Sequence, residues 1–231
     1  MIGAGLVLLG VGVGDLLRQY APSRLRIGAT VLAAVALIVL AAGADAMVWA
    51  FVALGTAVLW TWGTPDRRGG PAGLWPVVLV AAVCLVAVAV TGIRADQGPW
   101  GELWPTAGPL SRVSADVALF VVGAVAFLAE SGNVVVRASL RDAALPDADG
   151  ITLKGGRLIG PLERLLVFSL TLTGAFTLLA AVLAAKGIVR FPEISRDSGS
   201  GLRAEYFLIG SLVSWATALG VAFLLWWGTL G

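Results

Sequence analysis

Long apolar runs alternate with short polar connections along this chain. Seven runs stand out, at residues 2–17, 27–44, 47–62, 75–93, 113–136, 161–189 and 204–228. A helix crossing a bilayer needs about 20 mostly apolar residues. The pattern therefore predicts an all-α polytopic membrane protein, a single domain built as a bundle of about seven transmembrane helices. The first run is short and rich in glycine (Gly3, Gly5, Gly10, Gly12, Gly14) and ends on Asp15. Small residues let helices approach closely, so this helix is expected to pack tightly on a neighbour. A secretory signal would need a basic start and a cleavage site. No basic residue precedes Arg18 and no convincing site is present, so the run is read as retained.

Punctuation between the runs carries further expectations. Gly43-Ala44-Asp45-Ala46 predicts a tight hairpin with Asp45 near the interface. Residues 97–111 hold Gly98-Pro99, Trp100 and Trp104-Pro105, too apolar for a free linker, and predict a lid lying in the interface. Trp49, Trp60, Trp62, Trp75, Trp215, Trp226 and Trp227 mostly fall near expected helix ends, where indole prefers the interface. Residues 1–93 read as apolar scaffold helices, 94–112 as an interfacial loop, and 113–231 as the part with most of the polar groups at membrane depth.

Composition then narrows the chemistry. Of 231 residues, 58% are hydrophobic and 13% charged, with a mean hydropathy of +0.93. Soluble domains carry about 25% charged and 45–50% apolar residues. There is no His, which removes Ser-His-Asp triads and imidazole metal ligands. The lone Cys84 lies inside an apolar run and is expected to be packing. The glycines of the first run superficially resemble a dinucleotide loop, but the preceding strand and following acidic position are missing. No P-loop or paired-cysteine motif occurs, so no cofactor or metal is expected. The net charge of +2 is no nucleic-acid signature.

Orientation follows from Lys and Arg in the connections. With seven spans, odd-numbered connections hold nine: Arg18, Arg24, Arg26, Arg67, Arg68, Arg137, Arg141, Lys154 and Arg157. Even-numbered ones hold Arg94, Arg112, Arg190, Arg196 and Arg203. The bias predicts an outside N-terminus and a cytoplasmic C-terminus in the cell membrane.

Candidate chemistry concentrates in the second half. On the fifth run, Asp116, Gly123, Glu130, Asn133 and Arg137 recur at spacings that share one face at 3.6 residues per turn. Glu130 falls deep in the expected bilayer, where a carboxylate needs a partner or a cavity; Asn133 and Arg137 are the local candidates. The stripe fits an ion-coupling or ligand site, or a structural network between helices. The sixth run opens on Gly160-Pro161-Leu162-Glu163, with Pro161 suited to the first turn and Glu163 to the positive helix end. Arg164 is placed to meet the acidic segment of Asp142, Asp147 and Asp149. Thr171, Thr173 and Thr177 are expected to bond their own backbone. Lys186 and Arg190 share a face at the end of that run and suit a lipid head group or a protein partner. Glu205 starts the last helix and is positioned to reach back to either cation.

The stretches 160–166 (GPLERLL), 184–193 (AAKGIVRFPE) and 204–214 (AEYFLIGSLVS) resemble a family of uncharacterised multi-pass bacterial membrane proteins. The resemblance is confined to the last third, and Ser211 stands where the family commonly has Thr. It implies Glu163, Lys186, Arg190 and Glu205 as characteristic positions and brings no established activity. Two function classes stay open. One is a non-enzymatic membrane component, a small carrier or an accessory subunit binding lipid or a partner, such as a second copy or another membrane protein. The other is an intramembrane enzyme on a lipid-linked substrate, with Glu130 or Glu163 as acid or base.

Overall fold

The computed structural model describes residues 1–64, 73–92, 94, 97–140, 156–195 and 202–230. Among the described residues every regular element is helical. Several helices, such as α4 (Trp75–Thr91), are rich in valine, which has a lower helix propensity than leucine or alanine. In a lipid solvent the helix wins regardless, because only it satisfies every backbone N–H and C=O within one segment. Four helices are long and apolar enough to cross a membrane: Ile2–Tyr20, Arg26–Gly43, Ala115–Ser139 and Glu205–Thr229. Met47–Gly63, Trp75–Thr91 and Phe176–Val189 are apolar but shorter.

The chain packs as two compact units. The first comprises Met1–Ser131 and Phe223–Gly231. It holds α1 (Ile2–Tyr20), α2 (Arg26–Gly43), α3 (Met47–Gly63), α4, the short α5 (Gly98–Glu102) and α6 (Ala115–Ala126), closed by a π-helical turn at Phe127–Ser131. The glycine-rich α1 is its centre and packs on α2, α3, α4, α6 and the π turn. All of residues 2–8 are buried, whereas α2 exposes Ile27, Val31, Leu32, Val35 and Val39. An apolar helix with its face open in this way is at home in lipid and not in water.

Glycine makes the central contact possible. A Cβ at Gly5 would lie 2.8 Å from the Phe120 Cα, and one at Gly12 would lie 2.5 Å from the Phe127 nitrogen. From the facing helix, a Cβ at Gly123 would strike the Gly5 carbonyl. Gly5 and Gly12 are two turns apart on one face of α1, so the two backbones touch along their crossing. The turn at residues 44–46 closes α2 with Ala46 N–H on the Ala41 carbonyl (2.8 Å) and Asp45 N–H on that of Ala42 (3.2 Å). This is a Schellman arrangement, with Asp45 at φ 49° in the position usually taken by glycine. At the other end of the unit's chain, Gly228 lies against the Met1 side chain, so the end of the last helix sits beside the start of the first.

The second unit, Gly132–Ala222, contains α7 (Gly132–Ser139), α8 (Gly156–Leu172), α9 (Phe176–Ser195) and most of α10 (Leu202–Thr229). Here the expected single helix over 161–189 is corrected. The run is two helices that reverse at Thr173-Gly174-Ala175. Ala175 N–H reaches the Leu170 carbonyl (2.9 Å) and Gly174 N–H that of Thr171 (3.2 Å), with Gly174 at φ 68°. The reversal is unambiguous, because Lys186 Nζ touches the Glu163 carboxylate at 2.6 Å. In one straight helix these residues, 23 apart, would be separated by about 34 Å. The start is corrected too: α8 begins at Gly156, so Pro161 lies inside it and Glu163 lies past its first turn.

These contacts set an expected outcome. Gly12→Leu forces apart the backbones of α1 and the π turn, and the purified protein should aggregate or lose most of its cooperative melting on size exclusion and thermal denaturation. Gly14→Ala, with nothing within 4 Å, should keep the melting temperature or raise it, with a gain in stability of up to about 1 kcal/mol.

Candidate functional site

Two carboxylates of the first unit are locked into closed networks. Asp15 on α1 is 3% exposed. Its Oδ2 accepts from Trp60 Nε1 (2.8 Å) and Ser131 Oγ (2.7 Å), and its Oδ1 from Arg18 (3.4 Å). Arg18 in turn donates to the Thr64 carbonyl at 2.9 Å. The π turn delivers Ser131 to this cluster and packs Phe127 on the Trp60 ring, centroids 6.1 Å apart. Asp116, in the first turn of α6, takes both arms of the Arg94 guanidinium at 2.9 and 2.8 Å. Arg94 also donates to the Ala44 carbonyl (2.8 Å), and Gln97 Oε1 accepts from Ala115 N–H (2.9 Å). Trp100 Nε1 donates to the Leu40 carbonyl (3.0 Å). The 97–111 segment is thus tied to the end of α2 and to the start of α6.

In the second unit, three helices converge on Glu163. Lys186 Nζ of α9 donates to both carboxylate oxygens at 2.6 Å, and Trp215 Nε1 of α10 donates to Oε1 at 2.6 Å. The ammonium also lies 5.3 Å from the Trp215 ring centroid and 5.5 Å from that of Phe207. The pair is reachable, with side-chain exposures of 23% for Lys186 and 12% for Glu163. Next to it in sequence, Arg164 is 1% exposed. Its Nη2 donates to Asn133 Oδ1 (2.6 Å) and its Nη1 to Ser214 Oγ (3.4 Å). A side chain at Gly132 would occupy the space of this guanidinium.

Several sequence expectations change here. The stripe from Asp116 to Arg137 does not form one site. Asp116 is used up by Arg94, Gly123 is a backbone contact with α1, Asn133 serves Arg164, and Arg137 is exposed. Asp116 and Gly123 already differ in their neighbours within one regular helix, and after them the π turn at Phe127–Ser131 departs from the 3.6-residue period. Glu130 lies in that turn, buried and engaged. Lys186 pairs with Glu163 and not with Glu205, which is exposed. The segment with Asp142, Asp147 and Asp149, proposed to meet Arg164, lies outside the described residues, as does the side chain of Arg190. Trp60 and Trp215 donate to carboxylates, and Trp60, being fully buried, is no interfacial anchor. Thr171 and Thr173 do bond their own backbone, at the Val167 and Ser169 carbonyls.

Asp15, Trp60, Ser131, Arg94, Phe207, Ser214 and Trp215 were not among the expected site residues. A carboxylate in the apolar first run was the available signal for Asp15; Arg18 is a local partner, but Trp60 and Ser131 are 45 and 116 positions away. Comparison with protein-family models, with curated proteins and with solved structures returns no match.

Removing one donor from a buried carboxylate costs about 1.5–3 kcal/mol. Trp60→Phe keeps the ring but deletes the hydrogen bond to Asp15, so its melting temperature should fall clearly below wild type. Trp62→Phe, at an exposed position, serves as the control and should melt as wild type.

Proposed function

We propose that this protein is a non-enzymatic integral membrane protein of the cytoplasmic membrane, a small carrier or binding subunit whose ligand chemistry sits at Glu163, Lys186 and Trp215. One observation carries this. The carboxylates of Asp15 and Asp116 are 3% exposed and hold helices together, whereas that of Glu163 is 12% exposed and its pair with Lys186 joins three helices. A carboxylate within reach of water loses less when it changes partners than one that is fully desolvated. Two of the positions marked by the family resemblance, Glu163 and Lys186, meet in this centre. The lipid-facing apolar side chains of α2 and α8 make membrane lipids the surrounding medium. The enzymatic alternative is weaker, because a Glu163 acid or base would first have to shed both Lys186 and Trp215.

The reversal at Gly174 also changes the membrane topology we assign. We read α1, α2, α3, α4, α6 with α7, α8, α9 and α10 as eight membrane segments. The connection holding Arg190, Arg196 and Arg203 then becomes odd-numbered and joins the other nine loop cations. Twelve cations lie on one face and only Arg94 and Arg112 on the other, a far cleaner bias than the seven-helix reading gives. The face with twelve is cytoplasmic, and the start of α1 and the end of α10 share the opposite face. The contact of Gly228 with Met1 supports the same even count.

Two outcomes test these readings. A green fluorescent protein joined after Gly231 should stay dark in cells while alkaline phosphatase joined there is active; the reverse result would restore the odd-numbered topology. For the site, wild type and Glu163→Gln in lipid nanodiscs are melted with tetramethylammonium chloride, with sodium phosphate, or with phosphatidylglycerol in the disc. At least one addition should raise the wild-type melting temperature and fail to do so for Glu163→Gln. Identical responses in both proteins would overturn the binding centre.

A further inference from the structure

We infer that Glu163, Trp215 and Phe207 form a site for a monovalent organic cation, and that Lys186 fills it as a tethered occupant. The inference rests on the binding centre proposed above and names its ligand class. The ammonium of Lys186 receives what a free primary alkylammonium ligand requires, and a quaternary ammonium would find the same charge and rings without the N–H bonds. A carboxylate supplies two oxygens at 2.6 Å, and two aromatic rings stand at 5.3 and 5.5 Å. A cation within about 6 Å of an aromatic centroid is held by the ring quadrupole, and most strongly where water is scarce. The cage comes from α8 and α10, whereas its occupant comes from α9. Cage and occupant are therefore separable parts.

Three features allow exchange. The lysine stem has four methylenes and can withdraw without backbone motion. Its side chain is already 23% exposed, so the displaced ammonium has a route to solvent or to the lipid interface. When it leaves, Glu163 keeps the Trp215 N–H at 2.6 Å, so the carboxylate is not stripped of donors. A ligand of one positive charge then restores the neutral pair, whereas an anion would face the Glu163 carboxylate. The arrangement selects against phosphate and for amines. Lys186 sets the threshold: an entering cation must displace a competitor of high effective concentration.

The test uses Lys186→Ala in nanodiscs with tetramethylammonium and n-butylammonium. Both cations should bind this variant at least tenfold more tightly than wild type, measured by calorimetry, and Lys186→Ala with Glu163→Gln should lose that gain. Equal affinity in wild type and Lys186→Ala, or a gain that survives in the double variant, would overturn the cage. Should Lys186→Ala not fold, the intact protein gives the answer. Reductive methylation of Lys186, read by mass spectrometry against Lys154, the chain's other lysine, should accelerate several-fold with tetramethylammonium. An unchanged Lys186-to-Lys154 ratio would refute exchange. If phosphate or phosphatidylglycerol stabilises wild type through Glu163 while neither cation binds the variant, the binding centre stands and the cation cage falls. If nothing binds, both fall.

Discussion

The backbone-to-backbone crossing of α1 with α6 and the π turn governs the first unit. Lipid offers no hydrophobic drive for helices to associate, because the tails are as apolar as leucine. Association must come from van der Waals contact and from polar bonds, and both scale with proximity. Gly5, Gly12 and Gly123 remove the side chains that would hold the axes apart. Once α1 lies against the π turn, Ser131 is within 2.7 Å of Asp15 and Phe127 is beside Trp60. The same approach buries the whole start of α1, leaving the apolar face of α2 exposed. The helix that looked weakest by length is thus the one the others surround.

Carboxylates in both units use the same device. An indole N–H supports Asp15 through Trp60 and Glu163 through Trp215, at 2.8 and 2.6 Å. Indole is well suited to this in an apolar medium, since it supplies one directed donor on a large hydrophobic body and adds no charge. What differs is the cation. Arg18 and Arg94 anchor to backbone carbonyls as well as to their carboxylates, so each fixes a connection as well as a charge. Lys186 has its carboxylate and two rings and no such backbone anchor among its described bonds. A point charge on a flexible stem is the replaceable element among these, which is why the binding chemistry is assigned there.

The hairpin of α8 and α9 carries the largest consequence for the membrane arrangement. Whether its arms cross the bilayer fully or dip into it and return, the chain comes back to the face it left. In the topology proposed above, α10 then ends on the face where α1 begins, and the connection with Arg190, Arg196 and Arg203 joins the other basic connections. Under that proposal the charge bias, mixed for seven helices, falls on one side. Gly174 makes that fold-back inexpensive: a residue with a side chain at φ 68° would be strained by about 1–2 kcal/mol.

Solvent, class and several local turns were legible in the residues themselves. The paucity of charge and the long apolar runs determine an all-helical chain with membrane-length helices, because lipid leaves the backbone no other choice. The turn at Asp45, the self-bonded threonines and the close-packing role of the first-run glycines follow equally from local chemistry. Tertiary structure alone decided the rest. Hydropathy is blind to direction, so the run 161–189 reads the same whether it continues or folds back at Gly174. Periodicity presumes an unbroken 3.6-residue turn and names no neighbours, so the stripe through Asp116, Glu130 and Arg137 did not become one site. The pairings of Asp15 with Trp60 and Ser131, and of Glu163 with Lys186 and Trp215, join residues 23 to 116 positions apart. Such pairings depend on which helices touch, a choice made by glycine contacts and by the shapes of facing helices, and no local pattern in the chain encodes it.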